Sequence, residues 1–247
     1  MPHQHYFLAK HEEIAADQIT LCGDEHHHLS RVRRLQVGDK IWVTDGQGMM
    51  FSGVISEITK RHTKVEIGEQ LPNYGEEPFR LTLAQAMTKA ARFEWLLEKG
   101  AEMGVAAFWP MMTQFSTVKS NKGNMERWQR ILKTALKQCG RCVLPAVEKP
   151  LPFEKIIEKS SDFAYRWIAH RPAPEDSHLW RFSNEVEISH PANGLLLIGP
   201  EGGFSDEEIE MAAHSDFDFL DLGKRRLRSE TAGIVAASLI LNQFHLS

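Results

Sequence analysis

The spacing of apolar residues changes near residue 72, and this change constrains the fold more than any other feature of the chain. Before it, apolar and polar residues alternate in short segments separated by glycine-containing turns, which is typical of β-strands, as in Lys40–Thr44 and Phe51–Ile55. After the polar, turn-rich segment Pro72–Pro78, apolar segments alternate with stretches of helical period. That order is typical of strand–helix units around a mostly parallel sheet. We therefore predict a small β-barrel over residues 1–72 and an α/β domain over residues 73–247.

The second region contains five apolar segments that we predict to be strands: Arg80–Ala84, Ala106–Pro110, Phe163–Ala169, Gly194–Gly199 and Phe217–Leu222. Two amphipathic helices are predicted between them, with apolar stripes over Phe93–Gly104 and Trp128–Cys139. A third helix is predicted to begin at Ser205, because Ser205 and Glu208 have the spacing of a capping box. The last helix, Glu230–Phe244, is apolar nearly all round. It therefore requires burial on more than one face, which a subunit interface would supply.

The composition favours a cytoplasmic protein without a membrane span. The longest strongly apolar run, Ile234–Leu241, is far shorter than the roughly 20 residues that cross a bilayer. The first residues, Met1–His5, lack the basic start and apolar stretch of a signal peptide. Three cysteines, an odd number, do not indicate a secreted disulfide scaffold.

Positive charge is clustered although the chain as a whole is slightly acidic. The sequence has 29 basic and 33 acidic residues, so its net charge alone does not indicate nucleic-acid binding. Any contact with RNA phosphates must therefore depend on local clusters. Two such clusters lie in the first region: Arg31, Arg33 and Arg34, and Lys60, Arg61, His62 and Lys64.

Two glycine-rich loops follow predicted strands of the second region. The first is Ile198–Phe204, and the second, Leu222–Ala232, runs into the last helix. Ligands of open α/β sheets bind at the carboxyl ends of the strands, and glycines allow the backbone to approach them closely. By themselves the loops predict an unspecified ligand site, and Gly202-Gly203 could equally form a tight turn before a capped helix.

Together the loops resemble the signature of the SPOUT-type 16S ribosomal RNA (uracil-N3)-methyltransferases. The shared patterns are Gly-Pro-Glu-Gly-Gly at residues 199–203 and Leu-Gly-x-x-x-Leu-Arg-x-Glu-Thr-Ala at residues 222–232. Matching positions extend over essentially the whole chain, including Asp45–Gly48, Leu83–Ala86, Lys99–Val105 and Gly140-Arg141. This chain departs from the family at Gln114-Phe115-Ser116, where Glu-Arg-Ser is usual, and at His3 and His5, which replace basic residues. These departures affect one or two of the phosphate contacts that the resemblance implies.

The resemblance implies an α/β fold of the SPOUT type, a trefoil-knotted, mostly parallel sheet flanked by helices and preceded by a small PUA-like β-barrel. It also implies a homodimer that binds S-adenosylmethionine within the knot and methylates a uridine of 16S ribosomal RNA in the small ribosomal subunit. No metal is expected. For the cofactor we predict contacts from Leu197, Gly199, Pro200, Glu201, Gly202, Gly203, Leu222, Gly223 and Leu227. For RNA we predict contacts from Arg31, Arg33, Arg34, Arg92 and Lys119.

Methylation of uracil N3 requires loss of a proton, so the enzyme must stabilise the uridine anion or accept that proton. Arg228 is the candidate for the first role, and its alternatives are a phosphate contact or an ion pair with Glu230 or Glu201. Glu201 and Glu230 are the candidates for a base, and each could instead stabilise a helix N-terminus. The target base must leave its stack, and Phe115 or Arg92 could hold it.

Several alternatives remain open at the level of sequence. The enzyme could methylate another RNA site or a ribose 2′-oxygen, or the chain could be a non-catalytic RNA-binding factor in ribosome assembly. Cys139 and Cys142 form a Cys-x-x-Cys that follows a predicted helix, and there is no second cysteine pair to complete a zinc site, so redox or metal roles are disfavoured. The run His26–His28 is interpreted as a polar turn near RNA and not as a metal site.

Overall fold

The computed structural model describes residues 5–116, 118, 124–171 and 192–245. The chain forms two compact units. The first comprises Met1–Glu76 and Lys133–Leu144, and the second comprises Glu77–Leu132 and Pro145–Ser247. The sequence did not indicate that residues 133–144 accompany the first unit. The two-domain division at residue 72 stays a prediction.

The first unit is built on a curled five-stranded sheet with the order β1-β3-β4-β5-β2. Only β1 and β3 pair in parallel, and two bulges interrupt the pairing of β4 with β5. The strands are β1 (Tyr6–Leu8), β2 (Gln18–Cys22), β3 (Lys40–Thr44), β4 (Met49–Ile58) and β5 (His62–Pro72). Both predicted strands are therefore confirmed. Apolar residues at alternate positions of the strands face inward and form the core of this unit. Among them are Phe7, Leu21, Val43, Ile55 and Val65.

The three consecutive histidines lie on helical backbone, so their interpretation as a turn is wrong. Helix α1 (Gly23–His27) passes directly into a π-helical turn (His28–Val32). His26 is buried, and its Nδ1 lies 2.8 Å from Oγ1 of Thr63 on β5. A helix distributes consecutive side chains around its axis, and His26 therefore serves the packing of α1 against the sheet.

A partly buried carboxylate, Glu76, holds the segment 141–143 of the first unit. It accepts a hydrogen bond from Nη2 of Arg141 at 2.7 Å, and from the backbone N–H groups of Cys142 at 3.1 Å and Val143 at 2.9 Å. Arg141 is only 5% exposed. Loss of Glu76 would therefore remove a carboxylate that pairs with a buried guanidinium, which is strongly destabilising.

The second unit is a seven-stranded sheet in which every pair of strands is parallel. The order is β12-β10-β11-β6-β7-β8, and β9 also pairs with β7. The strands are β6 (Arg80–Ala86), β7 (Ala107–Met112), β8 (Ala146–Val147), β9 (Leu151–Pro152), β10 (Tyr165–Ala169), β11 (Asn193–Ile198) and β12 (Asp218–Leu220). All five strands predicted for this region are confirmed, as is the parallel arrangement.

The remaining helices are α2 (Ala90–Glu102), α3 (Asn124–Cys139), α4 (Phe153–Glu158), α5 (Asp206–His214) and α6 (Ser229–His245), with short 3-10 turns at His11–Glu13 and Ser160–Asp162. Helix α5 begins after Ser205, whose side chain accepts a hydrogen bond from the Glu208 N–H, so the predicted capping box is confirmed. No helix within the described ranges is long and apolar enough to cross a membrane.

Helix α6 packs against α2 and against β6 and β11 through one face. Ala236, Ala237, Ile240 and Phe244 are buried there, and Phe244 stacks on Phe79 with ring centroids 3.8 Å apart. The opposite face is not covered by the residues that the structure describes, since Leu239 is 42% exposed and Ser238 is exposed. The sequence predicted that this helix needs burial on more than one face. The exposed Leu239 on its outer face agrees with that prediction.

Candidate active site

The two glycine-rich loops meet in one cavity of about 380 Å³ in the second unit. Because β10, β11 and β12 are parallel neighbours, their carboxyl ends lie together at one edge of the sheet. The cavity is lined by residues 169–171, 199–203 and 220–227, with Ser229 and Ala232 at the start of α6. Its volume lies within the roughly 300–1,000 Å³ of small-molecule sites. The structure therefore brings together, in one cavity, the two separate loops at which the sequence predicts a ligand site.

Gly203 and Gly223 adopt backbone conformations that other residues strongly disfavour. Their φ angles are +78° and +96°, and apart from their chain neighbours no atom of the described residues lies within 4 Å of the position where a Cβ would stand. The open space beside these residues leaves their backbone accessible to a ligand. The Asp221 carboxylate fixes the second loop by accepting a hydrogen bond from the Gly223 N–H at 2.9 Å. Both loops thus offer backbone polar groups at the cavity.

A hydrogen-bonded chain joins the two loops beneath the cavity. The Ser229 hydroxyl donates to the carbonyl oxygen of Gly199 at 2.6 Å and accepts from Nε2 of Gln85 at 2.7 Å. Gln85 lies at the end of β6 and is 1% exposed, and Ser229 is 3% exposed. Buried hydrogen bonds of this kind fix relative positions, because breaking one leaves a polar group unsatisfied. Ser229 therefore holds the first loop against the start of α6.

A charged cluster centred on Arg92 of α2 stands beside the first loop. Arg92 forms an ion pair with the Glu201 carboxylate, and its Nε lies 3.6 Å from Oε1 of Glu230. Nη2 of Arg226 donates to the backbone oxygen of Glu201 at 2.6 Å. The Glu201 side chain is 62% exposed, whereas that of Glu230 is 10% exposed. Oε2 of Glu230 is buried and has no hydrogen-bond partner among the residues described.

The predicted site residues fall into three groups. Pro200, Glu201, Gly202, Leu222 and Leu227 line the cavity together with the glycines already described. Leu197 is fully buried within β11, and Arg228 is exposed at the residue before α6, outside the set that lines the cavity. Neither Glu201 nor Glu230 forms an ion pair with Arg228 in the contacts described. Both carboxylates pair with Arg92 instead.

The predicted RNA contacts are distributed over the two units. Arg31, Arg33 and Arg34 are exposed in the first unit, where Nε of Arg33 lies 3.3 Å from Nε2 of His28. Burial and the positive charges of Lys137 and Arg33 lower the pKa of His28. Lys119 and His3 lie outside the described residues. Further positive charge lies at the cavity itself, from Arg171, Lys224, Arg225 and Arg226.

Sequence reasoning missed the structural roles of Gln85, Ser229 and Arg226. Gln85 and Ser229 are 144 residues apart, and no local spacing connects them. The only signal was that Gln85 falls at a position matched by the family resemblance and that Ser229 occupies a variable place within the second loop motif.

The cysteines do not form a redox site of the usual kind. Burial raises the pKa of the Cys142 thiol to about 11, with Glu76 and Asp45 adding to the shift. A reactive cysteine requires the opposite, a pKa lowered by positive charge or a helix N-terminus. Within the described part of the chain, no group of three or more His, Cys, Asp and Glu side chains is placed to hold a metal ion.

Comparisons with known families agree with both regions of the chain. The RNA methyltransferase domain family matches residues 75–241, and the RNA methyltransferase PUA domain family matches residues 21–68. The first match includes every residue of the cavity described above. The fold and site therefore define an RNA methyltransferase that carries a PUA domain.

Relatives of known name cover nearly the whole chain. It is 34% identical to a ribosomal RNA small subunit methyltransferase E from Synechocystis, over 93% of this chain and 74% of the relative. A protein of the same name from Bacillus subtilis is 30% identical over 98% of both chains. The chain therefore belongs to the ribosomal RNA small subunit methyltransferase E family.

Two solved structures that resemble this one contain S-adenosylmethionine. A methyltransferase from Legionella pneumophila superimposes with a TM-score of 0.80 at 31% identity, covering 97% of each chain. A ribosomal RNA small subunit methyltransferase E from Neisseria gonorrhoeae has a TM-score of 0.80 at 26% identity, covering 97% of this chain and 98% of that one.

Proposed function

We propose that the protein transfers a methyl group from S-adenosylmethionine to N3 of a specific uridine in 16S ribosomal RNA of the small ribosomal subunit. The observation that carries this proposal is the meeting of both glycine-rich loops in one cavity at the carboxyl ends of β10, β11 and β12. Relatives named as small subunit methyltransferases and neighbours that hold S-adenosylmethionine support it.

The cavity fits the cofactor in size and in the kind of groups it presents. S-adenosylmethionine supplies an electrophilic methyl group and carries an adenine, a ribose and an amino acid to be recognised. Backbone groups of the 199–203 loop, of Leu222 and of Gly223 would hold its polar parts, because the two positive-φ glycines leave that backbone open. Leu227 would supply an apolar contact. Leu197, buried in β11, would act by supporting the first loop from below.

Catalysis in this proposal depends on positioning and on charge stabilisation. Arg228 would stabilise the uridine anion, and its guanidinium is exposed and forms no ion pair with any residue in the described ranges. Glu230 is a candidate acceptor for the N3 proton, since its Oε2 has no hydrogen-bond partner among the described residues, but this oxygen is buried and would have to become accessible to the base. Glu201 would need to release Arg92 before it could accept a proton.

Residues 1–72 would form the RNA-binding domain, with Arg31, Arg33 and Arg34 on phosphates. Arg92 and Lys119 would extend that contact to the second region. We further propose that the enzyme acts in the cytoplasm, where its ribosomal substrate is found.

The trefoil knot and the homodimer belong to the same proposal. In support of the knot, the chain passes from β12 at one edge of the sheet to α6, which packs beside β6 and α2. In support of the dimer, α6 leaves Leu239 exposed on its outer face. A mass of twice 28.1 kDa in light scattering is expected, and a monomer at micromolar concentration would contradict the dimer.

Calorimetric titration with S-adenosylmethionine, followed by methyl transfer to small subunits that lack the modification, tests the function. We expect saturable cofactor binding and one methyl group per subunit. The variant Gly223→Val should bind the cofactor more weakly, because a valine is strained at the φ of +96° that residue 223 adopts. Absence of binding at millimolar cofactor would favour a non-catalytic RNA-binding factor, and transfer to ribose would favour a 2′-oxygen methyltransferase.

A further inference from the structure

Phe115 is an exposed aromatic residue at the edge of the candidate active site. It follows β7 and is 46% exposed. Part of its side chain lies against the first loop, since a Cβ at Gly202 would stand 3.2 Å from Cβ and 3.6 Å from Cγ of Phe115. Gly202 in turn lines the cavity. The Phe115 side chain therefore contacts the backbone that surrounds the cofactor cavity while much of its surface stays open.

The turn that carries Phe115 is held firmly. The Ser116 N–H donates to the carbonyl oxygen of Thr113 at 3.1 Å, and the Thr113 N–H donates to the Ser116 hydroxyl at 3.0 Å. The Gln114 N–H donates to Oε1 of Glu208 at 2.9 Å. Glu208 is itself buried and forms the capping box of α5. The position of Phe115 is thus fixed before any ligand binds, which reduces the entropy lost on binding.

Packing alone does not explain an aromatic residue at this position. Another aromatic residue, Phe204, already fills the space beneath the first loop, where it is 9% exposed and lies 5.7 Å from the ring of Phe153. Phe115 adds an aromatic face that the interior does not use. Exposed aromatic side chains on a rigid support are the usual platform for unpaired bases, because every base has a π-face.

We propose that Phe115 forms a nucleobase-binding subsite, on which the target uracil stacks after it leaves the RNA helix. The subsite rests on the proposed function, since it presumes that the acceptor is a base in RNA. An enzyme that modifies a base must extract it from its stack and hold it beside the reacting group. Phe115 meets that need from the turn after β7, next to the loop that lines the cavity.

Three substitutions separate stacking from packing. Phe115→Ala removes the ring, Phe115→Leu keeps an apolar contact with Gly202 but removes the aromatic face, and Phe115→Trp keeps that face. The matched control is Trp95→Ala, which removes an aromatic residue that is 43% exposed on α2 and lines a different cavity. Each variant is assayed for affinity for small subunits, for KM and kcat of methyl transfer, and for cofactor affinity by calorimetry.

Loss of one stacked base weakens binding roughly 5- to 150-fold. We expect that effect on the RNA affinity or KM of Phe115→Ala and Phe115→Leu, with Phe115→Trp and the control near the wild type. Cofactor affinity should stay within about twofold, because stacking does not involve the cofactor. A Phe115→Leu variant that equals the wild type would overturn the proposal, as would a parallel loss of cofactor affinity. If the wild-type protein itself transfers no methyl group to small subunits, that result contradicts the proposed function independently of the Phe115 variants.

Discussion

Replacement of Ser229 by alanine should loosen the first loop of the active site. The substitution removes the hydroxyl that donates to Gly199 at 2.6 Å and accepts from Gln85 at 2.7 Å. Gln85 is 1% exposed, so water cannot easily replace the missing acceptor. A buried polar group left unsatisfied costs about 1–3 kcal/mol. We therefore expect a loss of about 2 kcal/mol, or a Tm lower by about 4–8 °C for a chain of this size.

The same substitution should weaken cofactor binding. Once the link is broken, the loop spends less time in its binding conformation, and the apparent Kd rises in proportion. If the fraction of molecules with the loop in its binding conformation falls tenfold, the apparent Kd rises tenfold, which is about 1.4 kcal/mol of binding free energy.

Thermal unfolding and calorimetric titration with S-adenosylmethionine measure the two effects of Ser229→Ala. Ser161→Ala is the matched control, because it removes the same hydroxyl from an exposed position of the same unit, away from the outer face of α6. The control should change neither quantity. A Ser229→Ala protein with an unchanged Tm and unchanged cofactor affinity would refute the argument that this hydroxyl positions the loop.

Three other predictions concern the first unit. Glu76→Gln should lower the free energy of unfolding by about 3–5 kcal/mol in urea, because it removes the carboxylate charge that pairs with the buried Arg141; a loss below about 1 kcal/mol would contradict this. In the folded protein Ellman's reagent at pH 8 should react with the exposed Cys22 and Cys139 and spare Cys142, whose pKa burial raises to about 11. Rapid reaction of all three thiols would show that Cys142 is accessible. Alanine at Arg31, Arg33 and Arg34 together should reduce the slope of log affinity for RNA against log salt by about 0.7–0.9 for each phosphate that is no longer neutralised. An unchanged slope would exclude phosphate binding by these arginines.

Most of the sheet could be predicted because its signals are local. Segments such as 194–199 are apolar and follow turn-formers, and the Ser205–Glu208 spacing marks the start of α5 on its own. Parallel pairing follows from the alternation of strands and helices. The carboxyl-end rule then placed the ligand site at the two loops, and the structure shows one cavity there.

The contacts that organise the site could not be predicted, because they join residues far apart in the chain. Arg92 and Glu201 are separated by 109 positions, and either could have paired with another charge near the loops. Nothing in the sequence indicated that residues 133–144 accompany the first unit. Their helical period simply continues that of residues 124–132, which belong to the second unit. The histidine run was misinterpreted because its polarity indicated a turn, whereas burial of His26 and its bond to Thr63 stabilise a helix.

Mapping the methylated nucleoside tests the central claim most directly. Small subunits from a strain without this activity are incubated with the protein and labelled S-adenosylmethionine, and the RNA is digested and analysed by mass spectrometry. The proposal predicts one labelled nucleoside, N3-methyluridine, at a single position of 16S ribosomal RNA. Label on a ribose 2′-oxygen or on another base would contradict it.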